Sequence, residues 1–206
     1  MMSIPHLPEE LLDHVVDFLH YKEDALRSCC LISKSWIPRA RKHLFADVLF
    51  ESEDLEVWKK KFPDPSTSPG RYTETLTIKC PHVVTVADAE VGGWIRGFSH
   101  VMRLRLGSPG WDPETYDYNG SATFLVPLHG LSPFVKSLSI DRVDFPSSHI
   151  FDLIISFPLL EDLTVTHCGY ARIDHDDVFK GLPTLVQRSN PPALTGSLEL
   201  VAPGMH

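Results

Sequence analysis

An alternating apolar pattern returns five times along the C-terminal two thirds of the chain, and it limits the fold more than any other feature. Thr73-x-x-Leu76-x-Ile78, Val101-x-x-Leu104-x-Leu106, Val135-x-x-Leu138-x-Ile140, Leu160-x-x-Leu163-x-Val165 and Thr195-x-x-Leu198-x-Leu200 share a Leu-x-apolar centre. Alternation at period two predicts a short strand with one buried face. The leucines fall 28, 34, 25 and 35 residues apart, in the range of units that stack into arrays. Apolar segments stand ahead of most of these strands, at Val91 to Phe98, Phe124 to Leu131, Ile150 to Phe157 and Val178 to Leu182. Several run into a proline, as in Phe157-Pro158 and Leu182-Pro183, which cannot continue a helix. The pattern therefore predicts a helix followed by a short strand, repeated.

The first fifty residues follow a different period. Pro5 and Pro8 stiffen the entry, and Glu9 and Glu10 suit the positive end of a helix. Leu11, Leu12, Val15, Val16 and Leu19 recur at three- and four-residue steps, the signature of an amphipathic helix. Asp24 is the expected cap of a second helix carrying Leu26, Cys29 and Cys30. A third is expected to start near Ser35, because Pro38 is tolerated only in a first turn. It would turn Trp36, Ala40 and Leu44 to one side and Arg39, Arg41 and Lys42 to solvent. Leu55, Trp58 and Phe62 at helical spacing predict a connecting helix within Glu51 to Phe62, and the proline-rich run from Pro63 to Gly70 predicts a loop or linker. The expected organisation is a helical module over 1–50, a connecting helix and linker over 51–70, and the repeats over 71–206.

Specific residues in the N-terminal module carry a family resemblance. Leu7-Pro8-Glu9-Glu10-Leu11-Leu12, followed by Cys30-Leu31-Ile32-Ser33-Lys34-Ser35-Trp36 and Leu44-Phe45, resembles an F-box. Leu160 to Cys168 is similar to the Leu-x-x-Leu-x-Leu-x-x-Cys unit of leucine-rich repeats, with Val165 in place of the third leucine. The whole chain thus resembles the fungal-type F-box family. The resemblance implies an α+β or α/β architecture, in which a three-helix F-box precedes an irregular leucine-rich-repeat-like solenoid of short parallel strands and helices. It further implies the substrate-recognition subunit of an SCF-type ubiquitin ligase, without catalysis or cofactor of its own. Such a subunit binds the Skp adaptor, and through it a cullin, and holds a protein target on the repeats. By analogy Leu7, Pro8, Leu11 and Leu12 would face the adaptor, with Val15, Leu31 and Ile32 beside them, while Leu19 and Trp36 would sit in the module's own core. Two other readings stay open: an F-box scaffold acting outside ubiquitin transfer, and a hydrolase hidden in the repeats.

Energetics favour a partner. About 40 residues bury too little to be stable without a metal, a disulfide or another protein, and neither of the first two is evident. Cys29 and Cys30 are adjacent while Cys80 and Cys168 stand alone, so reduced thiols are expected. Cys80 with His82, His167 with Cys168, and Asp174-His175-Asp176-Asp177 lack the spacing of a zinc site or calcium loop. No nucleophile elbow, phosphate-binding loop or dinucleotide fingerprint occurs.

Acids outnumber bases 27 to 19, which argues against binding to nucleic acid. Lys59-Lys60-Lys61 reads as a solvated helix face, and Asn119-Gly120-Ser121 as a turn. No run approaches the roughly 18 apolar residues that would span a bilayer, so a cytoplasmic or nuclear location without membrane contact is expected. Gly107 to Gly120 holds Trp111, Tyr116 and Tyr118 after a strand, and these aromatics are candidate target contacts. The chain ends soon after Leu198-Glu199-Leu200, which reads as a truncated or exposed end of the array.

Overall fold

The computed structural model describes residues 8–51, 54–79, 93–107, 128, 131, 133–141, 153–166 and 198–201. Three helices come first: α1 (Glu9–Phe18), α2 (Glu23–Ile32) and α3 (Ile37–Leu44). The strand β1 (Asp47–Phe50) and the helix α4 (Asp54–Lys61) follow, and then β2 (Thr75–Ile78), β3 (Arg103–Leu106), β4 (Ser137–Asp141), β5 (Asp162–Thr166) and β6 (Leu198–Val201). All six strands are parallel and lie in one sheet in chain order.

Register turns the sequence repeat into a layer of packing. Val48, Leu76, Leu104, Leu138, Leu163 and Leu198 are paired strand to strand along one row, and Phe50, Ile78, Leu106, Ile140, Val165 and Leu200 along the next. From Val48 to Leu163 the first row is buried, and Val101, Val135 and Leu160, which lead their units, are buried with it. Trp94, Ile95, Phe98, Leu128, Leu131, Leu153 and Phe157 from the return segments join the same core. These segments therefore cover the leucine face of the sheet. Backbone bonding repeats as well: the carbonyls of Ala46, Glu74, Met102 and Lys136 each accept two N–H groups from the start of the next strand, at 2.7–3.0 Å. Equivalent positions also pair across neighbouring strands, as in Lys136 with Glu161 at 2.9 Å and Lys79 with Glu51 at 2.5 Å.

The five expected strands all form, and the structure adds β1, which the sequence reading had placed in the helical module. Phe45-x-x-Val48-x-Phe50 is a sixth copy of the pattern without a leucine, and Val48 lies 28 residues before Leu76, the same interval as Leu76 to Leu104. The expected loop at Pro63 to Gly70 forms, exposed at Pro63, Asp64, Ser66 and Thr67 and packed at its end. Ser68, Pro69 and Gly70 are buried, and a 3-10 turn over Pro69–Tyr72 leads into β2. A Cβ on Gly70 would lie 3.1 Å from the Gly97 carbonyl and 3.2 Å from the Phe98 ring, so the backbone itself fills this part of the core. Helix α4 is shorter than the expected span and buries Leu55, with Trp58 packed against the core.

Among the described residues, one return segment departs from the expected helix. Trp94–Gly97 is a single 3-10 turn, while Leu128 and residues 153–156 are helical. Val178 to Leu182 lies outside the described residues. In the helical module, α2 starts after Lys22, so Asp24 sits in its first turn and does not cap it. Ser35 belongs to a 3-10 turn over Lys34–Trp36, and α3 begins at Ile37 with Pro38 in its first turn.

Gly107 closes β3 with a φ of 97°, and its N–H donates to the Ile78 carbonyl at 3.0 Å. It is buried. A β-branched side chain is strained in this backbone region, so Gly107→Val is expected to cost about 1–3 kcal/mol. A urea titration checks this; an unchanged midpoint would mean that the turn relaxes freely.

Candidate functional site

The helical module has a small core. Val16, Leu26, Cys29 and Ala40 are buried, and Leu19, Cys30, Trp36 and Leu44 pack around them. Leu19 and Trp36 thus lie where the sequence reading placed them. Cys29 and Cys30 are free thiols, and burial pushes the Cys29 thiol up, which keeps it in the unreactive protonated form.

Helix α1 has two apolar stripes. Leu12, Val16 and Leu19 follow one, and of these Val16 is fully buried. Leu11, Val15 and Phe18 follow the other at i, i+4 and i+7, which places them on one side of a helix. Leu11 and Val15 are half exposed, and Phe18 is 83% exposed. Tyr21, in the turn after α1, is 89% exposed, and Leu31 and Ile32 at the end of α2 are 88% and 67% exposed. Single exposed apolar residues are ordinary on a protein surface, but a stripe of them on so small a module marks an uncovered face.

Of the expected adaptor contacts, Pro8, Leu11, Val15, Leu31 and Ile32 are exposed, and Leu12, on the stripe of Val16 and Leu19, is half-buried. Leu7 lies outside the described residues, as do the target candidates Trp111, Tyr116 and Tyr118. Phe18 and Tyr21 were missed by the sequence reading. Phe18 continues the Leu11 and Val15 spacing by one further turn, so the signal for it was present.

A polar clamp fixes α1 against α3. The Asp17 carboxylate accepts a bond from Arg39 Nε at 2.6 Å, a second from the same guanidinium, and a third from His43 Nε2 at 2.7 Å. Arg39, expected in solvent, is therefore partly buried and paired. His20 Nδ1 donates to the Asp17 carbonyl at 2.7 Å, which ties the end of α1 to the same cluster. The Arg39 guanidinium, with His43 second, holds the Asp17 carboxyl well below the usual carboxylate range.

A depressed folded-state value stabilises the protein above the unfolded carboxylate pKa of about 4, and that contribution is lost as pH falls toward the folded value. Asp17→Ala is expected to cost about 1–2 kcal/mol near neutral pH, since the clamp is partly solvated. The gap to the intact chain should narrow steadily from about pH 4 to pH 2. Thermal melts across that range test it, and a gap independent of pH would assign the loss to packing.

Among the described residues, no three His, Cys, Asp or Glu side chains gather as a metal site, and no helix is long and apolar enough to cross a membrane. The Cys80, His82, His167, Cys168 and Asp174 to Asp177 candidates lie outside the described residues. Comparison with protein-family models, with curated proteins and with solved structures finds no match to this chain.

Proposed function

We propose that the chain is the substrate-recognition subunit of an SCF-type ubiquitin ligase, with the three N-terminal helices docking the Skp adaptor and the sheet region, a leucine-rich-repeat-like solenoid, holding the target. The observation that carries this reading is the pairing of a four-residue buried core with the exposed stripe of Leu11, Val15 and Phe18 and the exposed Leu31 and Ile32. A module with so little interior gains stability by covering such a face with a partner. The F-box-like residues Pro8, Leu11, Leu31 and Ile32 coincide with exposed positions. In this role the chain is a linker without chemistry of its own: it raises the effective concentration of a target near the transferring enzyme.

Affinity purification of the full chain from cells tests the reading. Adaptor and cullin are expected to co-elute with it. Adaptor without cullin would replace the ligase with a scaffold outside ubiquitin transfer, and recovery of neither would end both readings.

A further inference from the structure

The exposed apolar residues of the helical module stand on two helices that meet chiefly through a third. Leu11, Val15 and Phe18 belong to α1, and Leu31 and Ile32 end α2. Helices α1 and α2 each pack on α3 and on the Lys34–Trp36 turn, and less closely on one another. The spacing between the two halves of the face therefore depends on how α1 is seated on α3.

Little apolar surface sets that seat. Ala40 is the buried residue of α3, and it offers only a methyl group to the core that it shares with Val16 of α1. The Asp17 clamp supplies the missing definition. The Arg39 guanidinium reaches both carboxylate oxygens through two of its nitrogens, a forked pair that fixes orientation as well as distance. His43, one turn further along α3, donates to Oδ1 at 2.7 Å. One carboxylate on α1 is thus held at two points a turn apart on α3. At roughly 100° per residue, Asp17 itself lies about a third of a turn round α1 from the stripe of Leu11, Val15 and Phe18.

We infer that the Asp17, Arg39 and His43 clamp is a positioning device for the docking face: it sets the α1 stripe relative to Leu31 and Ile32, so adaptor affinity depends on it although Asp17 lies off the face. The inference rests on the adaptor reading and adds residues that shape its surface. A partner that spans two helices binds tightly when both anchors are presented together, since any rearrangement it must impose is subtracted from the affinity. Without the clamp α1 can turn on α3, and contact with Leu11 no longer brings contact with Leu31.

The test measures the affinity of purified Skp adaptor for the full chain by calorimetry at neutral pH. The intact chain is compared with Asp17→Asn, Arg39→Gln and Cys29→Ala, the last a loss in the same small core away from the clamp, with circular dichroism confirming that each is folded at the working temperature. Leu31→Ala is then added to the intact chain and to Asp17→Asn. Both clamp variants are expected to weaken binding roughly tenfold, and Cys29→Ala less than about twofold. Leu31→Ala should cost roughly tenfold in the intact chain but under about threefold beside Asp17→Asn, because the two changes act through one geometry. Additive losses, intact affinity in both clamp variants, or an equal loss in Cys29→Ala would each overturn the inference and leave the adaptor reading standing. An intact chain that does not bind the adaptor would overturn both.

Discussion

Phe98→Ala is expected to lower the unfolding free energy of the chain by about 3–5 kcal/mol, the usual range for removing a fully buried ring. Phe98 is completely buried and joins parts of the chain far apart in sequence. Its ring centroid lies 5.8 Å from Phe50 on β1, 5.4 Å from Trp58 on α4 and 5.5 Å from Trp94 in its own turn. The pairs with Phe50 and Trp94 are edge-to-face, and such pairs add about 0.5–1.5 kcal/mol each beyond area burial. Gly70 closes the remaining side, so the surrounding backbone can collapse only partly into the space left by the ring. Equilibrium urea unfolding followed by tryptophan fluorescence measures the loss, since Trp58 and Trp94 report on the site directly. A loss under about 1 kcal/mol would mean that β1, α4 and the Trp94 turn do not share one core.

The second large effect concerns binding. Leu11→Asp and Leu31→Asp are each expected to weaken adaptor binding by several kcal/mol, because each places an unpaired carboxylate in a desolvated interface. Both positions are exposed in the isolated chain, so neither change disturbs the Val16, Leu26, Cys29 and Ala40 core. The variants should therefore melt with the intact chain while losing the partner. Titration of the purified adaptor gives the affinities, and circular dichroism confirms the fold. Full binding by both variants would move the docking face elsewhere on the module.

The strands were legible because alternation fixes both their existence and their buried face, and the leucines of the five units fall into a single register. β1 escaped because its unit carries Phe45, Val48 and Phe50 in place of leucine and begins one residue after the last helical residue of α3. The segment from Val91 to Phe98 reads as a helix from apolar content alone, but Gly93 ahead of the turn and Gly97 at its end weaken helix propensity, and a single 3-10 turn over Trp94–Gly97 delivers Trp94, Ile95 and Phe98 to the core. On α1 the apolar stripes followed from spacing, but which of them is left uncovered depends on where α3 packs. The Asp17 clamp was invisible because its three members lie 22 and 26 residues apart.

The central claim is that the helical module docks the Skp adaptor, and gel filtration of purified adaptor mixed with the intact 206-residue chain tests it most directly. The account predicts that the two elute together as an equimolar complex, and that Leu31→Asp returns both to their separate positions. A folded chain that elutes apart from the adaptor would contradict the account and reduce the helices to a cap on the end of the sheet.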